Sequence, residues 1–457
     1  MNIIFITLAG IKSIENPGIY ADLMRKFRDE GHQVHIVSPF ERREGQATHL
    51  QEVDGVRILR VRTLNIQKTN IVEKGIGTLL IEGQFQRAIK RYFGHIQFDL
   101  ILYSTPPITF TNVVKYLKRK NPKAISYLLL KDIFPQNAVD IGMFGKHSLF
   151  NWYFRRKEVA LYKTSDFIGC MSPANVEFIH KHNPYYPAER VEMAPNSVEA
   201  PCPPKGENFK EEEEAKRKVE RIYIRDRYQL PKDKPIFIYG GNLGKPQGID
   251  FLIQCLDVNK HRDDCFFVVV GNGTEYKKLQ TWYEAQLKAN VSHNSESVET
   301  LSTADSTLGF TASSSESESE ELDNYSTPYT LHSKLAVKLM QRLPKEDYDI
   351  LVRSCDVGLI FLDHRFTIPN YPSRLLAYLQ SSMPVICATD PNTDMGRIAE
   401  ENGYGYWCES NNVSAFTALV DKMLASDRKS MGQRGYEFLK ANYTVQNTYD
   451  AIMKHFS

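Results

Sequence analysis

The chain has 457 residues, and at roughly 100–200 residues per domain that length predicts two or three domains. Hydrophobic residues make up 42% and charged residues 25%, with 57 Lys and Arg against 55 Asp and Glu; these are proportions of a soluble globular protein, and the near-neutral sum argues against a nucleic-acid binder with a broad basic face. No apolar run approaches the ~18 residues of a membrane span, residues 1–8 lack the pattern of a secretory signal, and the seven scattered cysteines contain no C-x-x-C pair, so neither a zinc site nor a disulfide framework is expected and the thiols read as those of a reduced, cytoplasmic protein.

In chain order, NIIFITL (2–8) reads as a strand and Gly18 to Gly31 as a helix. QVHIVS (33–38), GVRILRV (55–61), FDLILYS (98–104), AISYLLL (124–130) and DFIGCMS (166–172) are further strand-length apolar runs, with helical segments at 107–120 and 147–163. Continuous Val/Ile/Leu runs separated by helical crossovers predict a doubly wound parallel sheet over residues 1–196. Residues 197–234, with KEEEEAKRKVERIYIRDRY, read as a linker with a solvated charged helix. The pattern restarts at PIFIYG (235–240) and continues through CFFVVVG (265–271), KLAVKLM (334–340), CDVGLIF (355–361) and PVICAT (384–389). Helices fit at 248–257, 273–289, 344–354, 372–381 and 393–401. This is a second βα array, over 235–440, and 441–457 reads as a terminal helix packing back on the first domain.

Residues 289–333 belong to neither array. They are rich in Ser, Thr and acids and contain no Lys or Arg. Such composition cannot bury enough apolar surface to offset ordering entropy, so a disordered insertion into a loop is expected. Charge is also unevenly spread. Residues 1–196 carry a net charge of +9 and the insertion −8, which leaves the rest of the second half near neutral. Two segments of the basic half, 76–93 with Arg87, Lys90 and Arg91, and 149–157 with Arg155, Arg156 and Lys157, mix apolar and basic residues in a way that suits either a core-facing helix or a membrane interface.

Three stretches could hold a phosphorylated ligand. In YGGNLGKPQGIDFLI (239–253), glycines 240, 241, 244 and 248 lie between a strand and a helix, where amide donors favour an anion. Asn242 and Lys245 add a donor and a charge; no G-K-[ST] follows, so this is not a P-loop. VVGNGTEYKKL (269–279) repeats the arrangement, with Gly271 and Asn272 at the carboxyl end of a strand, where ligands of open α/β sheets bind. In RFTIPNYPSRLLAYLQSSMPVICATDPNTDMG (365–396), Pro372 suits a first helical turn, Ser373 and Arg374 follow it, and Arg374 presents forked donors suited to phosphate. Asp394 lies in the next loop and could accept from sugar or ribose hydroxyls.

Taken in order, NPGIYADLMRKFRDEGHQVHIVSP (16–39), KDIFPQNAVDIGMF (131–144), YGGNLGKPQG, GNGTEYKKL, KLMQRLPKEDYDILVRSCDVGLI and PSRLLAYLQSSMPVI resemble the GT-B glycosyltransferases of retaining family 4, of the bacterial capsule, O-antigen and exopolysaccharide type. The resemblance covers nearly the whole chain. It departs from the family where Asn242 and Gln247 replace a common Arg and Lys, and where a Glu-x7-Glu pair is replaced by Pro369 and Ala377.

The resemblance implies two Rossmann-like domains facing a cleft. A nucleotide-sugar donor, a UDP-sugar, would have its diphosphate on Gly241, Asn242, Gly244, Lys245, Ser373 and Arg374, with Gly18 approaching from the first domain. Its base would lie near Gly271, Asn272, Arg342 and Leu343, and Asp394 would meet sugar or ribose hydroxyls. Asp132 would orient the acceptor or support developing positive charge, with Lys131 as companion. Transfer would proceed with retention, to a polyprenyl-diphosphate-linked or glycan acceptor, without an obligatory metal or other cofactor and at an anionic membrane surface. A nucleotide-sugar-binding accessory subunit and a GT-B-fold sugar-nucleotide epimerase remain open beside this reading; no nucleic-acid module is recognised.

Overall fold

The computed structural model describes residues 1–65, 71–199, 209–299 and 335–456. The first sheet has eight strands: β1 (Asn2–Ile6), β2 (Gln33–Glu41), β3 (His49–Val53), β4 (Val56–Thr63), β5 (Leu100–Ser104), β6 (Ile125–Leu129), β7 (Phe167–Cys170) and β8 (Val191–Met193), in the order β3-β4-β2-β1-β5-β6-β7-β8. All neighbours are parallel except β3 and β4. That hairpin turns on Asp54 and Gly55, both at positive φ, the backbone a two-residue hairpin loop needs and the Asp-Gly pair supplies. β3, β8 and the last strand of the second sheet are additions to the strands read from the sequence. They are short or lack a continuous apolar run.

The second sheet has β9 (Ile236–Asn242), β10 (Phe266–Asn272), β11 (Val337–Met340), β12 (Val357–Phe361), β13 (Val385–Thr389) and β14 (Gly405–Glu409), all parallel, in the order β11-β10-β9-β12-β13-β14. Its strands other than the edge strand β14, like the central ones of the first sheet, are buried along nearly their whole length. Helices on both faces bury apolar stripes to achieve this; the helix Ile19–Asp29, for example, buries Ala21, Leu23, Met24 and Phe27.

Three segments tie the halves together. Leu362, Phe366 and Ile368 follow β12 in the second domain but pack into the core of the first. In the other direction, Ile19 packs against the core of the second. The helix Val445–Met453 lies on the helix Ile19–Asp29, where the Tyr449 hydroxyl meets His32 Nε2 at 2.9 Å, and Thr448 Oγ1 donates to the Pro195 carbonyl at 3.3 Å.

Three of these expectations gain structural detail. The charged helix Phe209–Arg227 is exposed over most of its described residues, as expected, but it also packs on the helix Lys345–Ser354. Its Arg225 is buried and donates to Asp356 and to the Ser354 carbonyl, each at 2.8 Å. In the segment 76–93, Ile81, Phe85, Ile89 and Phe93 enter the first-domain core, the core-facing alternative, while Leu79 and Leu80 stay exposed. The helix Tyr276–Glu299 extends into the segment expected to be disordered; residues 300–333 of that insertion lie outside the described residues. The six described cysteines are buried and free, while Cys202 lies outside the described residues.

Candidate functional site

β9 and β10 run in register through their carboxyl ends, with Gly241 opposite Gly271 and Asn242 opposite Asn272. The glycines allow that approach: a Cβ on Gly271 would stand 1.9 Å from the Gly241 carbonyl oxygen. Gly241 also takes φ 123°, which only glycine adopts without strain. A cavity of about 430 Å³ opens beyond these strand ends, lined by Gly241, Asn242, Gly271, Asn272, Arg342 and Leu343, and by Lys345 and Tyr348. The first six are residues singled out in the sequence, drawn from three separate segments. Lys345 and Tyr348 were not. Their signal was present in the spacing, since they begin the helix directly after Leu343. Gly240 has no room for a side chain because the Tyr348 hydroxyl occupies that position.

Arg374 adjoins the same strand ends. It opens the helix Arg374–Gln380, and its guanidinium lies over the Tyr239 ring, 4.3 Å from the centroid. Nη2 donates to Gln247 Oε1 at 2.6 Å. Nη1 is buried without a hydrogen-bond partner. A buried cationic donor left unmatched is costly, and a ligand anion is what would match it. Tyr239 and Gln247, which hold this guanidinium, were not anticipated as a pair. Lys245 and Ser373 are exposed, and Gly244 is buried in the turn that leads to Lys245–Gln247.

On the first-domain side, Asp132 follows β6. The amides of Lys131 and Asp132 both donate to Thr105 Oγ1, at 2.9 and 3.2 Å, and Asn137 Nδ2 donates to Asp132 Oδ1 at 2.7 Å. Burial pushes the Asp132 carboxyl up to about 6, against the opposing pull of the Asn137 hydrogen bond. The Lys131 ammonium turns away from this arrangement and donates to the Ala194 carbonyl at 2.8 Å. Burial pushes it down to about 7. Lys131 thus braces the end of β8, a structural task that its position in the sequence did not reveal. Gly18, expected to approach a diphosphate, precedes the helix Ile19–Asp29, and its amide donates to Asp22 Oδ1 at 2.9 Å.

Asp394 does not join the pocket at β9 and β10. It lies beyond β13, where its Oδ2 accepts from the Ala174 amide of the first domain at 2.9 Å. It lines a different cavity between the domains. The sequence order of the loops could not show this, because both cavities lie at carboxyl ends of the same sheet.

Two Rossmann-like domains with facing cores, and a pocket at the carboxyl ends of the second sheet, define the GT-B fold of glycosyltransferases. Comparisons agree with that class. A family model described as glycosyl transferases group 1 matches residues 220–320. A probable glycosyltransferase, WbjE of Pseudomonas aeruginosa, is 21% identical over 323 residues, covering 69% of this chain and 64% of that protein's length. Among solved structures, sucrose-phosphate synthase from Thermosynechococcus elongatus superposes with a TM-score of 0.67 at 12% identity, over 100% of this chain and 98% of that one. HepE of Anabaena, in complex with UDP, does so with a TM-score of 0.62 at 11% identity, over 100% and 99%.

Proposed function

We propose that this protein is a retaining glycosyltransferase that moves a sugar from a UDP-sugar to a lipid-linked or glycan acceptor in the synthesis of a bacterial surface polysaccharide. The observation that carries the reading is Arg374, whose Nη1 is buried and unmatched beside a cavity lined by Arg342 and Lys345. That arrangement suits a nucleotide diphosphate: the base enters the cavity, and the phosphates meet Arg374, Lys345 and the strand-end amides. Cations and amides fixed in place before the reaction stabilise a leaving diphosphate as the glycosidic bond breaks, and no resident metal is assigned. The departing phosphate takes the acceptor proton, and Asp132 orients the acceptor from across the cleft. The UDP complex of the HepE structure supports the choice of base.

The acceptor reading rests on the first domain. Leu149, Phe150 and Trp152 are 83%, 67% and 59% exposed. Lys146 lies close by, and Arg156 stacks on the Trp152 ring at 4.9 Å. Exposed aromatics among cations suit the interface of an anionic membrane. The protein then acts peripherally on the cytoplasmic face, and no helix among the described residues is long and apolar enough to cross.

A thermal-shift screen of nucleotide sugars tests the donor. Binding to the folded state alone raises apparent stability, so one UDP-sugar is expected to stand out and Arg374→Ala to abolish its shift. If Arg374→Ala leaves the shift intact, the site is wrong. Product analysis with and without acceptor then separates transfer from epimerisation and from binding alone.

A further inference from the structure

A second interdomain cavity, of about 510 Å³, shares no lining residue with the donor pocket. One wall is the helix Pro173–His182 of the first domain, with Phe178 and His182 stacked at 3.9 Å between ring centroids. The other is the loop after β13, with Asp394, and Trp407 of β14. Trp407 is held rigidly: its Nε1 donates to Thr389 Oγ1 at 2.9 Å, and its amide donates to Glu400 at 3.2 Å. Its ring lies against Gly396, where a Cβ would stand 2.1 Å from the indole. Asp394 is only 4% exposed, and its Oδ1 has no hydrogen-bond partner.

The chemistry of this lining differs from that of the donor pocket. The donor pocket has Arg342 and Lys345 and no acid. Here three carboxylates, Glu177, Asp394 and Glu400, stand with Lys181, Arg397 and His182. A phosphate would meet three carboxylates that the donor pocket lacks. A neutral, hydroxyl-rich ring would find carboxylate acceptors for its hydroxyls and an aromatic face for its apolar side. The volume lies in the range of small-molecule sites. Position agrees: Thr367, which lines the cavity, donates through Oγ1 to Asp140 at 2.9 Å and accepts from Gln136 at 3.3 Å. Those residues belong to the segment that begins at Lys131 and Asp132.

We infer that this groove is a carbohydrate subsite, which holds a neutral saccharide portion of the acceptor while the donor occupies its own pocket. The inference rests on the transferase reading for its role, but binding can be tested apart from it. Trp152→Phe with Trp282→Phe leaves Trp407 as the single tryptophan of the three in the chain. Titrating that full-length variant with maltotetraose and with chitotetraose reads the groove through Trp407 emission.

A saturable change that persists at saturating UDP is expected. Asp394→Asn retains an oxygen for the Ala174 amide but loses the carboxylate, and should weaken the saccharide roughly tenfold or more. A change that UDP abolishes places the sugar in the donor pocket and overturns the subsite, as does no change with either tetrasaccharide. The UDP thermal shift of the same variant reports separately on the donor: if UDP fails to shift it while Trp407 still responds to sugar, the transferase reading falls and the subsite stands.

Discussion

Asp132 and Lys131 are neighbours in the chain with opposite fates. The lysine is spent on the Ala194 carbonyl, while the aspartate keeps a carboxyl whose proton leaves at about 6 rather than near the ordinary 3.8. Burial disfavours its charged form, so its neutral form contributes stability that is present below the ordinary range and is lost as pH rises through about 6. Activity should move the other way. If the carboxylate orients the acceptor hydroxyl, the rate rises with pH through about 6, and Asp132→Asn removes that limb from the profile while UDP binding stays unchanged. A profile of unaltered shape in the variant would remove Asp132 from the chemistry. At Arg374 the lesson is similar. Its residue type was legible as an anion ligand, but the orphan nitrogen depends on Gln247 and Tyr239 holding the others.

At the scale of elements, the proposed donor pocket depends on two strands ending together. Gly271 against Gly241 is the closest point of that pairing. Gly271→Ala must push the strand ends apart, at a cost of roughly 1–3 kcal/mol for overpacking. The expected outcome is a lowered Tm in calorimetry together with loss of the UDP-sugar shift; a variant that binds normally would show that the strand ends do not shape the pocket. The helix Phe209–Arg227 shows what composition leaves open. Its charge run is exposed, as the composition predicts, yet Arg225 and Arg221 further along both reach Asp356 and tie it to the second domain. Where a charged helix is anchored is decided by what lies opposite, and no local pattern encodes that.

Across the whole molecule, the domains share their cores. Phe366 and Ile368 leave the second sheet and pack into the first domain, beside hydrogen bonds from Thr367 to Asp140 and from Asn175 to the Pro369 carbonyl. The loop that carries Arg374 is therefore anchored on both sides of the cleft. The proposed membrane contact of the first domain belongs to this scale. The segment 76–93 places Ile81, Phe85, Ile89 and Phe93 in the core, while Leu149, Phe150 and Trp152 of the second amphipathic segment remain outside. Phe150→Ser with Trp152→Ser should abolish co-sedimentation with phosphatidylglycerol vesicles without altering the UDP shift. Salt should release the unaltered protein, because the cationic part of the attraction is screened. Retained sedimentation in the double variant would move the membrane surface elsewhere.

The order of amino acids alone revealed the two βα arrays, the central strands of each sheet and the glycine positions at their carboxyl ends, because these follow from local rules: apolar runs of strand length, helical periodicity, and glycine where backbones converge. It also brought out Gly241, Asn242, Gly271, Asn272, Arg342 and Leu343, which line one pocket. The tertiary structure alone decided that Asp394 faces a different cavity and that Lys131 and the Gly18 amide are already engaged. These outcomes depend on partners far away in the chain, and spacing along a sequence carries no information about what stands across a cleft.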